Sequence, residues 1–466
     1  MIKILIALLY IAAILFIGIR AGKHVKSADG FAVNDRNTPF WTNVFSMSSA
    51  WIGAGSTLGC ASTCYAYGIS GFYLSIGVGI GAILASLVFS EKIRAENVTT
   101  IPELIRNRLG TRCANLLALL SIFQVFSIVA SQIRSLGTIL NMFVPSLSLL
   151  VSMILMTVVM LIYTVIGGMA AAAKTDRLNI ALMVLSVMII LPIIALMKMD
   201  SVGTMVSALK SNSPDMLKVG TTVGWGTMIS SGLYFCTSGM LNSENFLRIC
   251  SARSAKEARN ASLTATLMIY FPYLLFASFI GLAGTVLVSD LGTADSILPA
   301  MINQLTTPFI GAILLAALLA AVMGTAASVT MLASVTISRD VIGRFKTDMT
   351  DRQMLTTQRV LMVVVAALGL LVGYFGSSIV TIMEDVGAPC GAALVPIFCG
   401  LFFWGKKMNS KGCLITIVVA VVSTLVYWAV GSPLGISHFL FGLICSTITM
   451  FIANSICYKP ELATNA

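Results

Sequence analysis

The sequence has little charge and almost no histidine for its length. Asp, Glu, Lys and Arg make up only 10% of its 466 residues, and the two histidines are His24 and His438. Hydrophobic residues reach 58%, and the mean hydropathy is +0.96. A soluble domain needs a far more polar composition, so these values exclude a soluble fold. They predict an all-α polytopic membrane protein.

Signatures of enzymes and of nucleotide-binding proteins are also missing. The sequence has no Walker or Rossmann glycine motif in a strand–helix context and no clustered nucleophile and base. Its 10 cysteines lie among apolar residues without paired spacing, which argues against a disulfide or zinc framework. We therefore expect neither an enzyme nor a nucleic-acid partner. Any transport would be driven by an ion gradient.

Thirteen apolar runs are long enough to be candidate transmembrane helices, which need about 20 residues each. The first run could be a signal peptide, but no obvious small-x-small cleavage site follows it, so we expect a retained helix. The approximate limits of the runs are 2–20, 41–65, 70–91, 114–142, 147–167, 176–197, 222–241, 262–287, 307–338, 358–376, 379–404, 412–431 and 436–457.

Basic residues are distributed unevenly between the loops. With the N-terminus outside, 24 of the 29 lysines and arginines fall in inner loops or the tail, four fall outside, and Arg134 lies within a span. Cytoplasmic loops of membrane proteins are enriched in Lys and Arg. The count predicts an outer N-terminus and a cytoplasmic C-terminus in the plasma membrane. The lack of eukaryotic targeting features favours a bacterial inner membrane.

One polar stretch interrupts the second apolar run. Residues 46–59, SMSSAWIGAGSTLG, contain five serines or threonines and three glycines around Trp51. This composition predicts a broken helix, which a bilayer tolerates only where freed backbone groups face protein, water or a ligand. A small-residue packing face is the alternative. Ser230-Ser231-Gly232 predicts a second break, in the seventh run.

Six stretches, in order along nearly the whole chain, resemble the sodium:solute symporter family. They are SADGFAVNDRNTPFW at 27–41, residues 46–59 with the following YAYGISG, YTVIGGMAAAAKTD at 163–176, FLRICSARSAKEARNAS at 246–262, residues 321–340, and GLFFWGKK at 400–407.

The resemblance implies the leucine-transporter type of fold. Residues 41–197 would form the first inverted repeat of five core helices, and residues 222–404 the second. Residues 1–40 would add an N-terminal helix and inner loop, and residues 412–466 two C-terminal helices and a short tail. An inverted repeat places ion and substrate near the membrane midplane, between its discontinuous helices.

The resemblance also implies a sodium site between core helix 1 (residues 41–65) and core helix 8 (residues 307–338). Gly324 stands where the family usually has a hydroxyl, so the ion would have fewer ligands, or would use water or a substrate group. The alternative is a small-residue packing stripe. Carbonyl and hydroxyl oxygens suit a hard cation, and here they would come from Ser49, Ile52, Ala321, Thr325 and Ser328.

Asp176 matches a carboxylate that some members of the family use for a second sodium ion. Thr325 and Ser328 would be its partners, although Ala327 stands where another hydroxyl is common. The alternative is that Asp176 begins a helix, where an acid caps free N–H groups and meets the helix dipole.

Arg134 is the candidate that bears on the substrate. A charge inside a span usually faces the interior or a cavity, and some members place an arginine here against a substrate carboxylate. The substrate would then be an acid or a zwitterion. The alternatives are snorkelling to the headgroups and a structural pair with a carbonyl. Further cavity candidates are Trp51, Ser56, Thr57 and Ser75, with Gln132 as a cavity or interhelix group.

These observations predict a sodium-coupled symporter that imports a small organic solute by alternating access. Its partners would be Na⁺, the solute and the bilayer. Gly324 leaves a proton-coupled carrier or an uncoupled facilitator open. A membrane sensor is a further alternative, against which the short C-terminal tail argues. The sequence does not predict the oligomeric state.

Overall fold

The computed structural model describes residues 2–22, 36–98, 100–288, 291–343, 348–376 and 378–457. Most of the segment at 27–41 that resembles the family therefore lies outside the described residues, as do five of the predicted inner basic residues. For a few further positions the structure describes the backbone alone, namely 2–4, 7, 18, 19, 21, 22, 167–174, 243, 244, 340 and 406.

The described residues are helical almost throughout, with one isolated bridge between Thr38 and Ala252. The helices of the first half are α1 (Ile2–Gly22), α2 (Phe40–Trp51), α3 (Cys60–Tyr67), α4 (Phe72–Leu84), α5 (Ser90–Ala95), α6 (Ile101–Leu109), α7 (Thr111–Phe143), α8 (Leu149–Met183), α9 (Leu191–Met199) and α10 (Val202–Asn212). Those of the second half are α11 (Trp225–Met240), α12 (Ser243–Ser251), α13 (Ala255–Ala265), α14 (Phe271–Leu287), α15 (Ile297–Leu305), α16 (Pro308–Thr336), α17 (Asp351–Phe375), α18 (Ile379–Phe403), α19 (Ser410–Ala429) and α20 (His438–Cys457).

Each predicted span coincides with helix, and 10 helical stretches of the described residues are long and apolar enough to cross a membrane. The half-helix α2 has 12 residues and α11 has 16, too few to span alone. The predicted connection between the fifth and sixth runs is itself helical, because α8 continues through it. The chain is an all-helical, multi-pass membrane protein.

Helix α16 lies at the centre of the fold. Its most apolar window is 83% buried, whereas that of α17 is only 28% buried. A helix that is apolar on every side can lie in a protein core or against lipid, and the high burial of α16 places it in the core. On α17, exposed Val360, Val363 and Leu371 face outward, as expected for a surface covered by lipid. Helix α16 can therefore carry polar groups away from the bilayer.

The seventh span does not break at Ser230–Gly232, so that prediction is wrong. Helix α11 is continuous there, and the Ser230 hydroxyl donates to the carbonyl oxygen of Gly226 at 2.5 Å. Glycines of α4 instead allow that helix to approach α11 closely, and a Cβ atom on Gly77 would lie 2.4 Å from the carbonyl oxygen of Gly232. A Cβ atom on Gly81 of α4 would lie 1.9 Å from the carbonyl oxygen of Cys236. Close packing of this kind is the usual role of small residues in membrane helices.

The interruption of this span comes ten residues later, between α11 and α12. Leu241 leaves the helical conformation with φ −109° and ψ 28°. The Asn242 side chain then accepts a hydrogen bond from the Asn245 N–H at 3.0 Å and caps the new helix. As a result Arg248, predicted as an inner-loop residue, lies on a half-helix that enters the protein.

Candidate functional site

The predicted break in the second span is confirmed. Helix α2 ends at Trp51, and Ile52 is extended with φ −85° and ψ 92°. The chain then resumes through a π-helical turn, Gly55–Gly59. The Ser56 hydroxyl stabilises the gap, because it accepts from the Gly53 N–H and donates to the Trp51 carbonyl, both at 2.8 Å. One side chain thus satisfies two of the backbone groups that the break releases.

The break brings several carbonyl groups to the hydroxyl of Thr325 on α16. The Thr325 Oγ1 atom lies 3.0 Å from the Ile52 oxygen, 3.2 Å from the Ser49 oxygen and 3.4 Å from the Ala321 oxygen. A Cβ atom on Gly53 would lie 2.9 Å from the Thr325 methyl carbon, so glycine permits this approach. Four of the predicted sodium ligands therefore converge. We call these four oxygens the Thr325 site.

A second polar cluster surrounds Asp176. Its Oδ1 atom accepts from the Ser49 hydroxyl at 2.7 Å, and its Oδ2 atom accepts from the Ser46 hydroxyl at 2.9 Å. Asp176 lies well inside α8, so it does not cap a helix start. It is 1% exposed. Ser49 therefore belongs to both sites, with its carbonyl at Thr325 and its hydroxyl at Asp176.

Arg248 completes this cluster. Its Nε atom donates to the Ser46 hydroxyl and its Nη2 atom to the Ser328 hydroxyl, both at 3.1 Å. The Nη2 atom also lies 3.8 Å from Asp176 Oδ2. Arg248 is only 2% exposed and lies on a helix, so its sequence-based placement in an inner loop is wrong. Ser46, Ser49, Asp176, Arg248 and Ser328 are named the Asp176 cluster below.

The position of Gly324 shows where the missing hydroxyl would have pointed. A Cβ atom there would lie 3.0 Å from Asn179 Nδ2, 3.4 Å from Ser49 Oγ and 3.6 Å from Asp176 Oδ1. These are groups at or beside the Asp176 cluster. Ser328, predicted as a sodium ligand, also belongs to that cluster through Arg248, and it donates to the Gly324 carbonyl at 3.0 Å.

A cavity of about 60 Å³ adjoins the Thr325 site. Trp51 forms one wall and stacks on Tyr270 with ring centroids 5.0 Å apart. The Trp51 Nε1 atom is buried and has no hydrogen-bond partner among the described residues. None of the described lining residues carries a formal charge; the polar or aromatic ones are Trp51, Ser56, Gln132, Phe235, Ser238, Asn242, Tyr270 and Thr325.

Two of the predicted cavity residues, Trp51 and Ser56, line this space, and Gln132 does so as well. The Gln132 Oε1 atom accepts from the Ala54 N–H at 2.9 Å, so it also holds the break in place. Sequence reasoning missed Phe235 and Ser238 of α11, Asn242 directly after it, and Tyr270 in the π-helical turn that precedes α14. The only signal available for them was Asn242, a helix-capping residue directly after an apolar run.

Thr57 and Ser75 make their contacts elsewhere. The Thr57 hydroxyl lies 3.0 Å from the Tyr273 hydroxyl. The Ser75 hydroxyl bonds to the Ser278 hydroxyl and lies 3.4 Å from the Leu274 carbonyl oxygen. Both residues thus join their helices to α14. Neither lies among the residues that line the cavity.

Arg134 is also absent from the cavity lining. Its Nη1 atom donates to the Gly373 carbonyl at 3.0 Å, and its Nε atom lies 4.0 Å from Asp295 Oδ2. Asp295 precedes α15 and accepts a hydrogen bond from the Ile379 N–H at 3.1 Å. Burial raises the pKa of Asp295, and the Ile379 N–H and Arg134 partly offset this rise. These contacts join four separate parts of the chain.

The described residues contain no group of three or more His, Cys, Asp and Glu side chains that could hold a metal ion. At the Thr325 site the candidate ligands are three backbone carbonyl oxygens and one hydroxyl oxygen. Such ligands suit a hard ion, and they place no unpaired charge in the membrane.

Comparisons with known proteins agree with this architecture. Sodium/proline symporter 2 of Staphylococcus saprophyticus is 23% identical over 480 residues, covering 97% of this chain and 92% of the relative. The high-affinity proline transporter PutP of Bacillus subtilis is 24% identical over 470 residues, covering 96% and 97%. The structure of a Na⁺-coupled sialic acid symporter superposes with a TM-score of 0.81 at 19% identity, covering 98% and 97%.

A more distant fold relative is Mhp1, a nucleobase-cation-symport-1 family transporter, with a TM-score of 0.61 at 15% identity and coverage of 91% and 94%. Residues 31–420 match the sequence pattern of the sodium:solute symporter family. Since this match covers most of the chain, the protein is a sodium-coupled symporter of small solutes and belongs to the sodium:solute symporter family.

Proposed function

We propose that this symporter imports a small zwitterionic or carboxylate-bearing solute, with Na⁺ bound at the Thr325 site. The observation that carries the proposal is the convergence of three carbonyl oxygens, from Ser49, Ile52 and Ala321, on the Thr325 hydroxyl within 3.4 Å. A single hydroxyl hydrogen can be donated to only one of these oxygens at a time. The remaining oxygens are suited to a hard cation.

The solute would bind in the cavity beside this ion. Thr325 lines both the cavity and the ion site, so the bound Na⁺ would lie next to the solute. The carboxylate of the solute therefore needs no positively charged side chain in the cavity. A carboxylate can face the cation and the positive start of the helix after the break. The buried Trp51 Nε1 atom is a further donor. The relatives named as proline symporters make proline the first compound to test.

The role of Arg134 in this proposal is conditional on movement. Its guanidinium contacts Gly373 and lies near Asp295, away from the cavity lining. The guanidinium could contact a solute only in a state in which it has separated from Asp295. We therefore assign recognition of the bound carboxylate to the break in α2 and to the ion, and a role on the approach path to Arg134.

Transport would follow alternating access, with residues 41–197 and 222–404 as the two repeats. Sodium would join α2 to α16 across the break and favour solute binding before the opposite side opens.

The basic residues of the inner loops support a cytoplasmic C-terminus. Because the named relatives are bacterial, we place the protein in the plasma membrane of a bacterium, which is the inner membrane in a cell that has two.

Uptake into proteoliposomes tests this function. Purified protein is reconstituted, and radiolabelled proline, other small amino and carboxylic acids, and neutral solutes without a carboxylate are offered with an inward gradient of Na⁺, K⁺ or choline. We expect accumulation of at least one of these compounds with Na⁺ alone. Accumulation of a neutral, non-acidic solute in its place would contradict the substrate class. Acid uptake that proceeds equally with K⁺ would contradict the ion site.

A further inference from the structure

The Asp176 cluster holds two opposite charges in a place where water does not reach. Asp176 is 1% exposed and Arg248 is 2% exposed. A buried charge is costly unless an opposite charge and hydrogen bonds compensate it. Here the two carboxylate oxygens accept from Ser46 and Ser49, and the guanidinium donates to Ser46 and Ser328. The net charge of the cluster is therefore zero.

Apart from the guanidinium, the polar atoms of this cluster are all oxygens. The Asp176 carboxylate and the hydroxyl groups of Ser46 and Ser328 contact Arg248. The Ser49 hydroxyl and the Gly324 carbonyl contact these groups in turn. Carboxylate, hydroxyl and carbonyl oxygens are the ligands that a hard metal cation prefers. In this protein the positive charge among them is supplied by the side chain of Arg248.

We propose that Arg248 is the resident cation of the Asp176 cluster. Its guanidinium occupies the position that a second metal cation would otherwise take, so that this protein binds Na⁺ at the Thr325 site only. The number of ions at the Thr325 site rests on the proposed function, whereas the role of Arg248 rests on the cluster alone.

Ser49 connects the Asp176 cluster to the Thr325 site. Ser49 donates its hydroxyl to Asp176, and its carbonyl oxygen lies 3.2 Å from Thr325 Oγ1. Arg248 lies on α12, just after the break that follows α11, and it holds Ser46 of α2 at 3.1 Å. The guanidinium thus positions the half-helix that carries the Ser49 carbonyl. A charge fixed to the chain performs this task without an additional ion.

Removal of the resident cation tests the proposal. The full-length protein in detergent at about pH 8 is equilibrated with ²²Na⁺ alone, and the bound ions per chain are counted for wild type and for Arg248→Gln. Glutamine keeps a hydrogen-bond donor but loses the charge, which leaves Asp176 uncompensated. We expect Arg248→Gln to bind one more Na⁺ per chain than wild type.

The double variant Asp176→Asn/Arg248→Gln is the matched control. It removes both charges, so we expect the same number of bound ions as in wild type. Thr325→Ala, made in the wild-type and Arg248→Gln backgrounds, should remove one ion from each. If Thr325→Ala removes none, the proposed ion site fails. The role of Arg248 is still tested in that case, because it is judged from the difference in bound Na⁺ between Arg248→Gln and wild type.

Two results would overturn the role of Arg248. One is an unchanged ion count in folded Arg248→Gln. The other is the loss of one ion in the double variant, because Asp176 would then already hold Na⁺ beside the arginine. If Arg248→Gln does not fold, the double variant decides alone: an ion count equal to wild type supports the proposal, and a count lower by one refutes it.

Discussion

The Thr325 hydroxyl oxygen lies 3.0 Å from the carbonyl oxygen of Ile52, the extended residue that directly follows α2. This contact joins the broken helix to the central helix α16 at the level of the cavity. A rearrangement that moves α2 away from α16 must separate these two atoms. An ion held between them would therefore be bound in one state of the protein and released in another.

Replacement of Thr325 by alanine should weaken sodium binding at least about tenfold, which corresponds to about 1.4 kcal/mol. The variant loses the only side-chain oxygen of the Thr325 site, while the three carbonyl groups stay. The readout is the rise in thermal midpoint of purified protein on titration with Na⁺, against K⁺ and choline. Thr325→Ser keeps the hydroxyl and should respond as wild type does. A wild-type response of Thr325→Ala would contradict this prediction.

Two stretches of similar composition show what a sequence can and cannot predict. Residues 46–59 and Ser230–Gly232 both combine small and polar residues in an apolar run. The first is broken, because Gln132, Ser56 and Thr325 satisfy or contact the released backbone groups. The second remains helical and packs closely against α4. Ser56 lies within the first stretch, but Gln132 and Thr325 are distant from it in sequence, so composition alone could not distinguish the two.

Arg248 illustrates the same limit for a functional residue. It follows an apolar run and precedes other basic residues, which is the pattern of an inner loop. Its partners are Asp176 on α8 and Ser328 on α16, 72 and 80 residues away. In contrast, the approach of the Ser49 and Ile52 carbonyls to α16 agrees with the sequence-based expectation, because composition predicted the break and the resemblance to the family paired it with α16.

Replacement of Ser56 by alanine should destabilise the break. The variant leaves the Gly53 N–H and the Trp51 carbonyl without the partner that each has at 2.8 Å. An unsatisfied buried polar group costs about 1–3 kcal/mol. We expect a lower thermal midpoint and weaker solute uptake, measured on the same preparation.

Ser211→Ala is the matched control for this change. The Ser211 hydroxyl also donates to a backbone carbonyl, that of Ser207 at 3.1 Å, but it is exposed on α10. Water can replace this bond, so the thermal midpoint should stay near that of wild type. Equal destabilisation by Ser56→Ala and Ser211→Ala would show that the Ser56 hydroxyl does not stabilise the break.

Asp295 should make stability depend on pH. Its carboxylate accepts from the Ile379 N–H and lies near Arg134, and burial raises its pKa. Because the pKa is higher in the folded protein, this group contributes stability when it is protonated, below its ordinary pKa near 4. The contribution is lost as the pH rises through the raised pKa. Acidification should therefore favour the folded state at this position.

Asp295→Asn isolates this effect, because asparagine keeps an oxygen acceptor for Ile379 but does not ionise in this range. The thermal midpoint of wild type minus that of Asp295→Asn should become more positive, by on the order of 2 °C, between pH 7 and pH 4.5. Comparison at each pH cancels acid effects that both proteins share. Asp215→Asn, at an exposed aspartate near Lys218, controls for the loss of a carboxylate. A difference that falls on acidification would mean that the ionised carboxylate, held by Arg134, is the form that stabilises the fold.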